Sequence, residues 1–218
     1  MVNQLTYVEA EAATRQHACR LGFWTSLLTA IAAAAALVIS VTTAPARSGP
    51  FCVGDLVGSC LTYPYTDVAA FVPIEYIWMY TAFLMALFFV VVVVCIHYYT
   101  EADKKVFSQT ALSFAIISAV AHAINYFIQL AVVQPSLLKG EAEGLSLLSQ
   151  YNPHGVFIAL EDVGYLMMGV AFLFLAVTFR GHERLERIIK LTFMVSSVLA
   201  IGSRSEEHTS ELQSRITI

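Results

Sequence analysis

Four stretches of predominantly apolar residues, each long enough to cross a bilayer and none containing Lys or Arg, constrain this chain more than anything else in it. They run from about Leu21 to Val41, Ile74 to Tyr98, Val106 to Val133 and Pro153 to Phe179. An α-helix rises about 1.5 Å per residue, so about 20 residues cover the hydrocarbon core of a membrane. The alternation expected of a β-barrel strand is absent, and the block Phe88 to Val94 is apolar on every face. That block is largely β-branched and would be a poor helix in water. In lipid the cost of unsatisfied peptide groups makes helix the only workable choice for it. The predicted fold class is therefore all-α, a polytopic transmembrane helix bundle.

Composition points the same way. Apolar residues make up 58% of the chain and charged ones 13%, about half the charged share of a soluble globular protein. Such a chain cannot cover its own surface in water, so the lipid bilayer is its first partner. A net charge of −4 gives no basis for a nucleic-acid partner.

A fifth apolar segment begins near Leu185 and stops by Ser203, too short to cross. The string Arg204-Ser205-Glu206-Glu207-His208-Thr209-Ser210-Glu211-Leu212-Gln213-Ser214 looks like translated sequencing adapter. Residues 204–218 are read as a non-native tail, and 1–203 as one transmembrane helical domain: four complete spans and a truncated fifth, partial over 185–203. The stretch from Tyr7 to Arg20 is rich in helix formers and is expected to extend the first helix. Asn152 and Pro153 suit the N-cap and first position of the fourth helix, and Pro135 is expected just past the end of the third.

The basic residues assign an orientation. Arg15 and Arg20 precede the first helix, Lys104 and Lys105 follow the second, and Arg180, Arg184, Arg187 and Lys190 follow the fourth. Alternating helices put these on one side and leave only Arg47 and Lys139 on the other. The positive-inside rule then makes the N-terminus cytoplasmic. Cys52 and Cys60 fall in the first outside loop, where disulfides are permitted and two intervening glycines let the chain turn back, so a Cys52–Cys60 bridge is expected. Cys19 and Cys95 sit at the cytoplasmic side and should be reduced. Nothing has the ligand spacing of a metal site.

Polar residues inside a span need a reason. Ser118, His122, Asn125 and Gln129 recur at spacings of four, three and four, so they share one face of the third helix. The fourth helix carries Glu161, Asp162 and Tyr165, and the second opens with Glu75. Measured from the bounding prolines, Glu161 lies about 12 Å deep, Gln129 about 9 Å, Asn125 about 15 Å and Glu75 about 3 Å. On that estimate Gln129, Asn125, Glu161 and Asp162 share a level in the outer half, with Glu75 above them. Two readings compete. Interhelical polar bonds average about 0.6 kcal/mol, and Ser118, Asn125, Gln129 and a protonated Glu161 can serve as helix fasteners. The preferred reading is that Glu161, Asp162, Asn125, Gln129, His122, Tyr165 and Glu75 line an outer-leaflet site for a small ligand, a cation or a proton, as in a transporter or sensor, with a structural or accessory subunit as the alternative. An enzyme finds little support, because His122 has no evident nucleophile partner and neither HExxH nor GxSxG occurs.

Other features have plainer readings. Tyr76, Trp78 and Tyr80 fit an interfacial aromatic belt, as Tyr98 and Tyr99 do at the opposite face. Gly164, Met168 and Ala171 line one helix face and suit close helix approach. The leucines between Ser136 and Gln150 suggest an interfacial helical turn.

The run Gln150-Tyr151-Asn152-Pro153-His154-Gly155 with Glu161-Asp162-Val163-Gly164-Tyr165, together with Tyr126-Phe127-Ile128-Gln129 and Gln134-Pro135, resembles uncharacterised multi-pass membrane proteins of bacteria and archaea. The resemblance covers most of residues 70 to 180. It implies a helical protein of the prokaryotic cytoplasmic membrane with no assigned activity, cofactor or site residue. A second copy or another membrane protein stays open as a partner.

The cysteine reading has a direct check. Alkylation of the unreduced, detergent-solubilised protein should leave Cys52 and Cys60 unlabelled, and prior reduction should expose both to reagent. Labelling of either without reduction would remove the bridge.

Overall fold

The computed structural model describes residues 2–43, 61–181 and 183–216. Cys52 and Cys60, and with them the expected disulfide, lie outside the described residues, as does Arg47. Among the described residues there is helix and no strand, and four helices are long and apolar enough to cross a membrane. The all-α, multi-pass expectation holds.

The first helix, α1, runs Val2–Thr43, so the segment before Leu21 does extend it. Helix α2 runs Ile77–Tyr99 and α3 Lys105–Ile128. A π-helical turn, Gln129–Val133, then leads into α4, Gln134–Lys139. A single turn, α5, occupies Leu145–Leu148; α6 runs Val156–Thr178 and α7 Arg184–Ile216.

Two boundaries differ from expectation, each for a physical reason. The third span does not end before Pro135 but passes through it to Lys139. In an α-helix the ring of Pro135 would meet the carbonyl of Ala131, four residues back. Ala131 lies within the π turn, whose wider spacing relieves that contact. The fourth helix starts at Val156 rather than Pro153. Asn152 makes a turn of its own: its Oδ1 accepts the His154 N–H at 3.0 Å, and its Nδ2 donates to the Ser146 carbonyl at 2.9 Å. Asn side chains offer the backbone this local alternative to helix.

The chain divides into two compact units. One comprises residues 1–27, 88–119 and 164–218. Its apolar centre is Phe89, Val93, Ala111, Ala115, Ala171 and Leu175, with Phe172 against Phe89 edge-on and Phe114 stacked on Phe174. The basic connections gather at one end of this unit. Lys105 Nζ donates to the His97 carbonyl at 2.8 Å and Lys104 Nζ to the Thr178 carbonyl at 3.2 Å. Two neighbouring lysines thus cap the C-terminal turns of α2 and α6, where unsatisfied carbonyls carry negative partial charge. Arg180 pairs with Glu101 and Asp103, and Arg15 lies over the Tyr99 ring. The three connections assigned to one side by charge do meet.

In the same unit α7 packs along α6. Phe193 contacts Phe172 and Phe179. Farther along, a Cβ placed on Gly169 would stand 3.1 Å from the Ala200 Cβ and 3.5 Å from the Ser197 carbonyl. Absence of a side chain at Gly169 is what lets these helices come together.

The other unit comprises residues 28–87 and 120–163. Its core is Leu61, Val68, Tyr76, Met79, Tyr126, Val133, Leu137, Leu145, Tyr151 and Phe157. Tyr76 is fully buried and so does not belong to an aromatic belt, whereas Trp78 is half-buried with one edge against Tyr126 and Tyr80 is exposed. Val68 enters the core from a 3-10 turn, Thr66–Phe71, which packs on α4.

Gly169→Leu should separate α7 from α6 at a cost of about 1–3 kcal/mol, the usual penalty for overpacking. A lowered thermal midpoint in detergent, with Gly169→Ala between the two, is the expected outcome. An unchanged midpoint for the leucine variant would contradict the close approach.

Candidate functional site: a polar ladder in the helical core

Helix periodicity places His122, Asn125 and Gln129 on one side of α3 and its π extension, and all three are buried. Asn125 and Gln129 reach the two ends of the stretch Leu148–Phe157, which runs from α5 into α6. Asn125 Nδ2 donates to the Phe157 carbonyl at 3.0 Å, and Gln129 Nε2 to the Leu148 carbonyl at 2.7 Å. Gln129 Oε1 is enclosed without a hydrogen-bond partner among the described residues. The His122 ring stacks on Tyr126, centroids 5.8 Å apart. Ser118, one turn before His122, belongs to the other unit and donates to the Gly164 carbonyl at 2.7 Å.

Glu75 approaches the same segment from another element. It sits in a 3-10 turn, Ile74–Tyr76, just before α2, and is only 2% exposed. A buried carboxyl group needs donors, and Gln150 and Tyr151 are two of them. Gln150 Nε2 reaches Glu75 Oε1 at 3.0 Å, and the Tyr151 hydroxyl donates to the same oxygen in a short contact. Hydrogen bonds to a buried polar group offset part of the cost of burying it.

Between these anchors the chain turns tightly. Gly155 N–H bonds to the Asn152 carbonyl at 2.9 Å. A Cβ on Gly155 would stand 2.9 Å from the Leu147 carbonyl and 3.0 Å from that of Asn152, so no larger residue fits without movement. The run Gln150 to Gly155 is therefore one device. Gln150 and Tyr151 hold Glu75, Asn152 shapes the turn, and Gly155 lets α6 begin. Sequence reasoning quoted this run but did not find Gln150 and Tyr151 as partners of Glu75. An isolated acid at the mouth of a span was the signal that donors must be near.

The acids of α6 are placed differently from the depth estimate. Asn125 lies level with Phe157, so Glu161 is one turn, about 6 Å, farther along the helix. Gln129 lies level with Leu148 instead. The shared level fails because Pro135 and Pro153 do not mark one depth: Asn125, ten residues from the first, lies level with Phe157, four residues from the second. Glu161, Asp162 and Tyr165 are half-buried, and Asp162 Oδ1 is enclosed by protein. Glu75, Asn125 and Gln129 are thus drawn together through the 148–157 segment, with Glu161 and Asp162 beyond it and Tyr165 in the other unit.

Among the described residues no three His, Cys, Asp or Glu side chains converge as metal ligands would. Cys19 and Cys95 carry free thiols. No family model, curated protein or solved structure matches the chain.

Removing the acceptor at Glu75 should strand two donors. Glu75→Leu is expected to destabilise by about 1–3 kcal/mol, the cost of leaving buried polar groups without their bond. Tyr151→Phe, which deletes one donor and strands nothing new, should cost less. Chemical denaturation of the two variants in the same detergent checks the order, and equal stability for both would refute the arrangement.

Proposed function

We propose that this chain is a multi-pass integral membrane protein serving as a structural or accessory subunit, with its buried polar residues acting as internal fasteners. One observation carries this reading. Asn125, Gln129 and Glu75, three of the residues that best suited a ligand site, all bond to the segment Leu148–Phe157 of the chain itself. Side chains engaged by the protein's own carbonyls and side chains are poorly arranged to exchange a ligand.

Orientation is part of the proposal. Lys104, Lys105, Arg15 and Arg180 gather at one end of their unit, which supports a cytoplasmic N-terminus under the positive-inside rule. A prokaryotic cytoplasmic membrane rests on the resemblance alone, and the Cys52–Cys60 bridge on sequence and this orientation.

A second reading rests on Glu161 and Asp162. Adjacent acids on a spanning helix are costly, and these are half-buried rather than sealed away. They are the part of the cluster best suited to a proton or small cation.

One double variant separates the two. If the residues only fasten helices, Glu161→Gln/Asp162→Asn should fold with a thermal midpoint that responds to pH and to sodium as the parent does. A parent midpoint that shifts with either, and a variant that has lost the shift, would overturn the accessory role in favour of the ligand site.

A further inference from the structure

At the basic end of the first unit, α1 and α2 leave a groove between them of about 540 Å³. Helices touch closely just beside it: a Cβ on Gly22 would stand 3.0 Å from the Cys95 Cβ. The groove floor is Ala18, Leu21, Val94 and Cys95, and its aromatic edges are Trp24 and Tyr98, both more than half exposed. His17 and Arg20 stand at its polar end.

Arg20 differs from the four cations that hold this end together, and unlike Arg184, Arg187 and Lys190 it lines the groove. Arg15 bonds to the Tyr99 carbonyl, Lys104 and Lys105 cap helix carbonyls, and Arg180 pairs with two acids. Arg20 forms no hydrogen bond or ion pair among the described residues. Its guanidinium presents donors suited to a phosphate, while Leu21 beside it and Trp24 one turn on continue into the apolar span. A cation at headgroup level, an indole at the interface and an apolar channel leading inward follow the order of a phospholipid read from phosphate to acyl chain.

We infer that this groove is a binding site for one anionic glycerophospholipid of the adjoining leaflet. Arg20 and the His17 imidazole engage its phosphate, Trp24 and Tyr98 flank the glycerol esters, and Leu21 and Val94 line the path of an acyl chain. Charge complementarity selects the headgroup, and a zwitterionic lipid fits the apolar part without that selection.

The chain has two tryptophans, so Trp78→Phe leaves Trp24 as the sole reporter. This variant is reconstituted in phosphatidylcholine vesicles containing either brominated phosphatidylglycerol or brominated phosphatidylcholine at equal mole fraction. Brominated phosphatidylglycerol should quench Trp24 with about fivefold preference, the ratio expected of one basic side chain near an anionic surface. Adding Arg20→Gln should abolish the preference while leaving quenching by brominated phosphatidylcholine unchanged. Equal quenching by both lipids, or a preference that survives Arg20→Gln, overturns the site. Because Trp78 packs on Tyr126, the same question is put to the unmodified chain by native mass spectrometry from an equimolar lipid mixture. Retained phosphatidylglycerol should predominate and fall with Arg20→Gln, and retention without headgroup preference again refutes it.

Discussion

A peptide group inside a bilayer has no water to turn to, and the rest of this molecule follows from that constraint. Helix satisfies it along four apolar spans. The demanding places are those where helix stops, and the polar side chains cluster there. Lys104 and Lys105 meet the final carbonyls of α6 and α2. Thr100 adds its hydroxyl to the Ile96 carbonyl at 2.7 Å. Asn125 and Gln129 meet carbonyls on either side of the turn before α6. Asn125 and Gln129, two of the polar residues that stand out by type, have backbone carbonyls as partners.

Helix interiors were legible in the sequence and helix ends were not. Length and hydropathy located every span, because lipid leaves a long apolar segment only one conformation. Pro135 and Pro153 misled for opposite reasons. A proline can be carried inside a helix when a widened turn removes its clash, as at Ala131. A favourable proline position can also go unused when a neighbour prefers another bond, as Asn152 does with His154.

The polar face of α3 was legible as a face, since spacing alone aligns Asn125 with Gln129. Its partners were not. Both carbonyls that receive these side chains belong to a stretch whose path depends on Gly155 and Asn152, and no periodic pattern encodes a backbone atom as an acceptor. Glu75 was recognisable as an acid in need of donors, but Tyr151 and Gln150 lie some 75 residues away in sequence. The aromatic belt failed at one position: Tyr76 resembles an interfacial residue by type and is buried in the core instead.

The π turn at Gln129–Val133 has a consequence for how the chain tolerates change. Such a turn holds a surplus residue relative to α geometry, and each residue of an α-helix advances the face by about 100°. The rest of this helix, Gln134 to Lys139, is therefore in phase with the core only because of that surplus. Leu137 points inward by count, not by neighbourhood. Losing any one residue of the five would turn Leu137 outward while every contact-forming side chain beyond it kept its identity, so this short stretch governs the protein through its length rather than its composition.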